Sequence, residues 1–440
     1  MDLAIAAGQN DSLISQLSFQ LPAVATYAKE RRLVQVMPQG ANTFAPDGNQ
    51  VMTFNLTNNG EGWLDPSSLR LSFRINNGEP LTADLVASNL LGLMPASGCH
   101  CFFSQLRILI GGTEVERIEP YNMLHELFRV CLNTPQSQVE QAVEDGRTYD
   151  VDHYPPVTAD RIGAGQYKTV TLTPLAGLLQ CGKYLPLRLM NSCVLEFSLA
   201  RTDDALAPTV VYANPQPVYQ NRSRRFQLSQ CELQYSTVRL DSALEAGFSS
   251  LLLSGRALQL NLRTIFSQQA IIPAGAVEFQ ASVVRALSRI AAVFVTFQGR
   301  DAQNSSILKF HNPSESVGHE RTLEWAVQIG SKQWPEMSTC KSTASTMSLL
   351  KQALGIYDQN IACTSITPVN FHSSRYCIGV PLSVIPGQVF SGTSTRSGDL
   401  LSVLIRSMGV AANQQAQKMH ITLLAEVILE LKESGTVLLE

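Results

Sequence analysis

Cys99-His100-Cys101 is the densest run of metal-donor side chains in the chain, since thiolate and imidazole both bind zinc. Structural zinc sites, however, space their cysteines by about two to four residues and need a second pair, which the sequence does not supply. On a strand, positions i and i+2 share a face, so the two thiols read as inward-facing packing. The segment Asp145-Gly146-Arg147-Thr148-Tyr149-Asp150-Val151-Asp152-His153-Tyr154 gathers carboxylates and a histidine, and is the best place for acid–base chemistry or a divalent ion. It lacks the oxygen-ligand order and closing glutamate of an EF-hand. It reads as an exposed polar loop, with a cation bridging subunits as the alternative. His125 has no serine or cysteine motif beside it and reads as a surface or capping histidine rather than a general base. No phosphate-cradling GxxxxGKS, nucleophile elbow or paired-His zinc motif occurs. The expectation is a chain with no catalytic residue, no cofactor and no metal site.

Composition points the same way. The 440 residues exceed one compact core and suit two domains of roughly 200 residues each. Hydrophobic residues make up 45% and charged residues 16%, against about 25% charged in an average soluble domain, so part of the surface is expected to be buried against other copies. A net charge of -3 argues against a protein that grips nucleic acid along its length, which requires clustered Lys and Arg, and no direct sequence-specific nucleic-acid binding is expected. The one dense basic run, Arg222-Ser223-Arg224-Arg225, reads as a solvated loop. The start, Met1-Asp2-Leu3-Ala4-Ile5, lacks the features of a secretory signal, and the most apolar stretch, residues 286–297, is interrupted by Arg289. A soluble chain made in the cytosol is expected. Cys99, Cys101, Cys131, Cys181, Cys193, Cys231, Cys340, Cys363 and Cys377 are odd in number and scattered, and read as reduced, mostly buried small hydrophobes.

The elements that would position these residues are mostly strands. Leu69-Arg70-Leu71-Ser72-Phe73-Arg74-Ile75 alternates strictly, and so does Leu323-Glu324-Trp325-Ala326-Val327-Gln328-Ile329 in the other half. Further strands are expected at 33–37, 51–56, 106–110, 113–118, 168–172, 187–199 and 226–240, then from Leu258, through a long region at 277–297, at 401–405 and along 421–431. Helical spacing of Leu124, Leu127, Phe128 and Cys131, between Pro120 and Pro135, predicts a helix over 121–132. Met347, Leu350 and Leu354, with Gly355 as terminator, predict another over 346–355. Each half thus repeats the order strand, glycine turn, proline, helix. The expected fold is all-β: an arm at 1–30, then tandem eight-stranded jelly-roll β-sandwiches at 31–245 and 246–440, each with one principal helix. The boundary falls near 241–256, and 133–165 is expected to be a long loop.

Asn58 through Leu71, with Trp63-Leu64-Asp65-Pro66-Ser67-Ser68 after a glycine turn, and Ile110-Gly111-Gly112-Thr113-Glu114-Val115-Glu116-Arg117-Ile118 leading into Tyr121-Asn122-Met123-Leu124, resemble the double jelly-roll major capsid proteins. The polinton-like virus and virophage type, in the lineage of adenovirus hexons, is the nearest in look. The resemblance implies a homotrimer forming a pseudo-hexagonal tile of an icosahedral shell of a DNA virus, assembled inside the host cell and ending in the virion. Its implied partners are neighbouring capsomers, penton and minor capsid proteins, and an inner membrane. In the second half Ser331 replaces a second glycine and Lys332-Gln333-Trp334-Pro335 shortens the returning strand. The rival classes are a two-jelly-roll glycan hydrolase, which needs two carboxylates about one bond, and a carbohydrate-binding sandwich pair, for which Trp63, Trp325 and Trp334 are few exposed aromatics.

Overall fold

The computed structural model describes residues 27–439 apart from 58–61, 80–90, 94–96, 147–160, 191, 207–209, 214–215, 221–222, 224, 299–309, 315–322, 337–338, 357–363, 386–387, 397, 410–416 and 433–434. The expected arm up to residue 26, Arg222 and Arg224 of the basic run, Cys363, and Tyr149, Asp150, Asp152 and His153 of the polar segment lie outside the described residues.

The principal strands of the first half are β1 (Ala28–Val36), β2 (Val51–Asn55), β3 (Trp63–Asn77), β4 (Phe103–Ile110), β5 (Thr113–Ile118), β6 (Tyr167–Leu172), β7 (Cys193–Leu199) and β8 (Phe226–Leu240). Those of the second are β9 (Leu258–Ile272), β10 (Phe279–Val283), β11 (Ile290–Gln298), β12 (Glu324–Ile329), β13 (Lys332–Trp334), β14 (Cys377–Pro381), β15 (Leu401–Arg406) and β16 (Gln417–Lys432). The first set pairs in the orders β1-β8-β3-β6 and β2-β7-β4-β5, and the second in the orders β9-β16-β11-β14 and β10-β15-β12-β13. Adding eight to each label of the first set gives the second, so the duplication extends to the hydrogen-bonded order of the four principal sheets. All of these pairings are antiparallel. Short strands add to the margins, Thr43–Phe44 on β8 and Gly435–Leu439 on β16.

Period-two patterning explains the sandwich. Along β3 Leu69, Leu71, Phe73 and Ile75 are buried while Arg70, Ser72 and Arg74 keep partial access to solvent. The strand β11 differs, being buried at every position of Ile-Ala-Ala-Val-Phe-Val-Thr-Phe-Gln. Both of its faces are covered, which is why its sequence reads as a continuous apolar run and not an alternation.

Helix α1 (Tyr121–Leu132) fills the predicted span. Helix α2 (Pro135–Glu144) occupies part of the expected loop. Pro135, which closes α1, also opens α2 at its first turn, and Thr134 caps it by accepting from the Ser137 N–H at 3.2 Å. Helix α3 (Ser242–Leu253) stands between β8 and β9, where the sequence suggested only a boundary; Asp241 caps it through the Ala243 N–H at 3.1 Å. Helix α4 (Thr343–Ala353) ends on Gly355 at φ +79°, with Gly355 N–H donating to Gln352 and Ile356 N–H to Lys351, the paired bonds of a Schellman close. One helix per half was therefore too few.

Three strand readings are also corrected. The first strand begins at Ala28, so Lys29, Glu30, Arg31 and Arg32 belong to β1 and not to an arm. Among the principal strands β1 pairs only with β8, and charges suit such an edge. The region 277–297 is two strands in opposite sheets, β10 and β11, separated by residues 284–289. The region 187–199 begins as a 3-10 turn, Leu187–Leu189, and becomes a strand only at Cys193.

Candidate functional site at the seam of the two halves

Helix α1 carries a cluster of buried charge and also forms part of the contact between the halves. Glu126 and Arg129, one turn apart, are both buried, with Arg129 Nη1 3.0 Å from Glu126 Oε2. His100 Nε2 meets the same carboxylate oxygen at 2.9 Å. Arg129 Nη2 lies 3.9 Å from Asp145, whose other oxygen accepts the Cys99 N–H at 2.7 Å.

That last bond explains why Cys99 and Cys101 do not lie on a strand. They form a 3-10 turn, Cys99–Phe102, tied down by Asp145 from the end of α2. A Cβ on Gly98 would fall 2.6 Å from Asp145 Oδ1 and 2.9 Å from His100 Nδ1, so only glycine lets the turn approach. Both thiols are buried, as the packing reading expects. Asp145, the first residue of the acidic segment, is drawn inside as a structural anchor rather than displayed in an exposed loop.

Correction also reaches His125. Its ring stacks on His100, with centroids 4.3 Å apart and planes 16° from parallel, and its Nε2 lies 3.1 Å from the Thr173 carbonyl. Sequence spacing put it at the margin of the α1 stripe, but nothing in the sequence placed His100 against its ring.

Ser97, His100 and Glu126 are the residue types of a nucleophilic triad, and their geometry rules out that use. Ser97 Oγ lies 3.3 Å from His100 Nε2, the same nitrogen that holds Glu126. A triad needs the acid and the nucleophile on opposite ring nitrogens so that a proton can pass between them. Ser97 and His100 are also 0% and 1% exposed. This cluster is a structural knot. Among the described residues no group of three or more His, Cys, Asp or Glu is arranged to hold a metal.

The electrostatics are those of a fixed ionic centre. Burial alone would raise the Glu126 carboxyl, but Arg129 and the hydrogen bond to His100 outweigh it and hold it down at about 2. Burial, reinforced by His100, pushes His125 down to about 3. Burial likewise lowers His420 to about 4. All three bind protons more weakly folded than unfolded, so stability should fall with acidification: from pH 6.5 towards 4 through the histidines, then from 4.5 towards 2 through Glu126. Glu116, raised by burial, acts in the opposite direction. The urea midpoint is expected to hold steady above pH 7 and to fall progressively between pH 6.5 and 4. An unchanged midpoint at pH 4 would show that the histidines are not held neutral.

Around this centre the halves meet along a mixed seam. Phe128 of α1 packs edge-on against Phe294 of β11, centroids 5.5 Å apart. Ser365 donates to the Val130 carbonyl through N–H at 3.2 Å and Oγ at 3.0 Å, and Arg375 Nη1 holds the Ser365 carbonyl at 2.9 Å. On β5, buried Glu116 accepts from Gly177 N–H at 2.9 Å and Leu178 N–H at 3.1 Å, and a hydrogen bond from Thr264 of β9 reaches it. A groove of about 680 Å³ opens beside this contact, with Glu114, Arg117, Arg285, Lys418 and His420 in its walls. Local spacing carries no sign of this seam, since its partners are far apart in the chain, as Phe128 and Phe294 or Val130 and Ser365 are.

No protein-family profile and no curated protein matches the chain. Solved structures do. The PBCV-1 virus capsid superposes with a TM-score of 0.62 at 11% identity, covering 96% of this chain and 99% of that one. The Faustovirus major capsid protein gives 0.60 at 8% identity over 98% and 96%. A chain of the Sputnik virophage gives 0.55 at 11% identity over 96% and 90%. These superpositions span both halves and both sheets of each half, and identities this low establish architecture alone: the chain has the double jelly-roll fold of these viral capsid structures.

Proposed function

We propose that this chain is a viral major capsid protein. The observation that supports it most is the reciprocal, nearly full-length likeness to the PBCV-1 capsid and the Faustovirus major capsid protein. On this reading residues 31–245 and 246–440 are the two jelly rolls. Three copies make a pseudo-hexagonal tile whose six rolls stand side by side, and the tiles join neighbouring capsomers, penton and minor capsid proteins in the virion shell. The expected arm, cut back to residues 1–27 because β1 begins at Ala28, would contribute contacts to a neighbouring tile, a minor protein or an inner membrane. The protein then works by geometry and not by catalysis.

The surface supports burial between copies. Val384, Ile385 and Val389 stand exposed on a connection with no charged residue from Cys377 to Thr395. Among the described residues the buried carboxylates Asp65, Glu116, Glu126, Asp145 and Glu426 are each engaged by donors inside the fold, which disfavours the glycan-hydrolase alternative. Size-exclusion chromatography with light scattering is expected to give a particle three times the 48.1 kDa chain mass, with a six-sided outline in negative stain. A monomer at all concentrations would remove the capsid reading.

A further inference from the structure

Cys131 and Cys377 lie 246 positions apart, one in each half, and both are buried and unbridged. Their placement follows from packing on either side of the seam. On α1, Phe128 and Cys131 are three residues apart and so share a helix face. On the second half, β11 and β14 pair with Phe294 opposite Gly379 and Thr296 opposite Cys377, which puts these four residues on one face of the sheet. Phe128 contacts Phe294 on that face. One step along the helix from Phe128 reaches Cys131, and one step along the sheet from Phe294 and Gly379 reaches Thr296 and Cys377. The Ser365 bonds to the Val130 carbonyl clamp the helix beside Cys131, and Arg375, two residues before Cys377, holds Ser365. Gly379 belongs to the same close packing, since a Cβ there would meet Leu350 of α4 at 2.6 Å. Cys377 Sγ donates to the Ile378 carbonyl at 3.6 Å, and Cys131 is near enough to help push the Cys377 thiol up.

We propose that Cys131 and Cys377 form a redox-operated staple across the seam, a pair of thiols as the chain folds and a disulfide after exposure to a small-molecule disulfide such as oxidised glutathione. The thiolate of one cysteine attacks glutathione disulfide and releases one glutathione thiolate. The second cysteine, deprotonated, then displaces the other glutathione from the mixed disulfide. Two protein thiols lose two protons and two electrons, and one glutathione disulfide becomes two thiols. Burial raises the Cys377 thiol well above its ordinary range, so it stays protonated in the closed fold and exchange requires the seam to open briefly. Once formed, the bridge would close a long chain loop and tie the halves together at a second point besides α3.

The test uses the full chain. As purified with thiols blocked at lysis, Cys131 and Cys377 are both expected to be alkylated on denaturation. After prolonged incubation with oxidised glutathione near the onset of melting, peptide mapping should find Cys131 joined to Cys377, and the melting temperature should rise by several degrees. Cys131→Ser/Cys377→Ser should show neither effect. Stable glutathione adducts on the separate cysteines, bridges to other partners, no bridge at all, or a bridged form that melts no higher would each overturn the proposal. The mapping on the natural chain decides the matter even if the double variant does not fold.

Discussion

Phe73→Ala is expected to destabilise the first sandwich by about 3–5 kcal/mol, the range for truncating a buried aromatic to a methyl. Phe73 has no exposed surface and sits in the middle of β3. Its ring meets Phe103 at 5.4 Å and 85°, and Phe102 at 6.3 Å and 78°, both edge-on. Those rings belong to the Cys99–Phe102 turn and the start of β4, so this one side chain couples one sheet to the other. The neighbours are themselves held in a ring cluster, Phe102 on Phe226 at 5.0 Å and Phe103 on Phe197 at 5.2 Å, and can fill the cavity only in part. Arg74→Ala removes a residue from the opposite face, where the guanidinium lies 4.4 Å from the centroid of the Tyr167 ring. That contact is worth about 0.5–1 kcal/mol at a solvent-accessible site. Urea unfolding followed by hydrogen exchange in β3 separates the two. Comparable losses would mean that β3 is out of register by one residue.

Long, strictly periodic elements were legible in the sequence because their burial is one-sided. The β8 limits are those read from alternation, and α1 spans the predicted 121–132. Duplication was legible too, since the glycine turns and the helices recur in order. Capped short helices escaped because their signals are local. Thr134-Pro135 and Asp241 both carry good N-cap chemistry, but without a long apolar stripe behind them each reads as a break. The β11 run escaped division from β10 because a strand buried on both faces has no period to end.

The site was less legible than the fold for a related reason. Cys99-His100-Cys101 was visible as chemistry, yet the groups that determine its role arrive from Glu126, Arg129 and Asp145, which local spacing does not bring together. Only the fold shows that Ser97 and Glu126 meet the same ring nitrogen of His100, and only the fold turns three suggestive residue types into packing.

Glu126→Ala should bring a loss of comparable size, about 3–5 kcal/mol, for a different reason. Removing one member of a buried ion pair leaves the other charged and desolvated, which costs more than the intact pair contributes. Here the residue left behind is Arg129, whose next anion, Asp145, is 3.9 Å away and already engaged with the Cys99 N–H. His100 would lose its 2.9 Å partner at the same time. If the penalty is an uncompensated charge, then Glu126→Leu combined with Arg129→Met should recover much of it, because both charges leave together. If it is a cavity, the double variant should be no better than the single one. Acid supplies an independent check. The stabilising share of the Glu126 carboxylate is fully present above its unfolded value of 4.5 and is lost as pH falls through about 2. The gap in urea midpoint between the natural chain and Glu126→Gln should therefore be constant above pH 5 and narrow steadily below it. A gap unchanged down to pH 2 would show that the side chain stabilises by its shape and not by its charge.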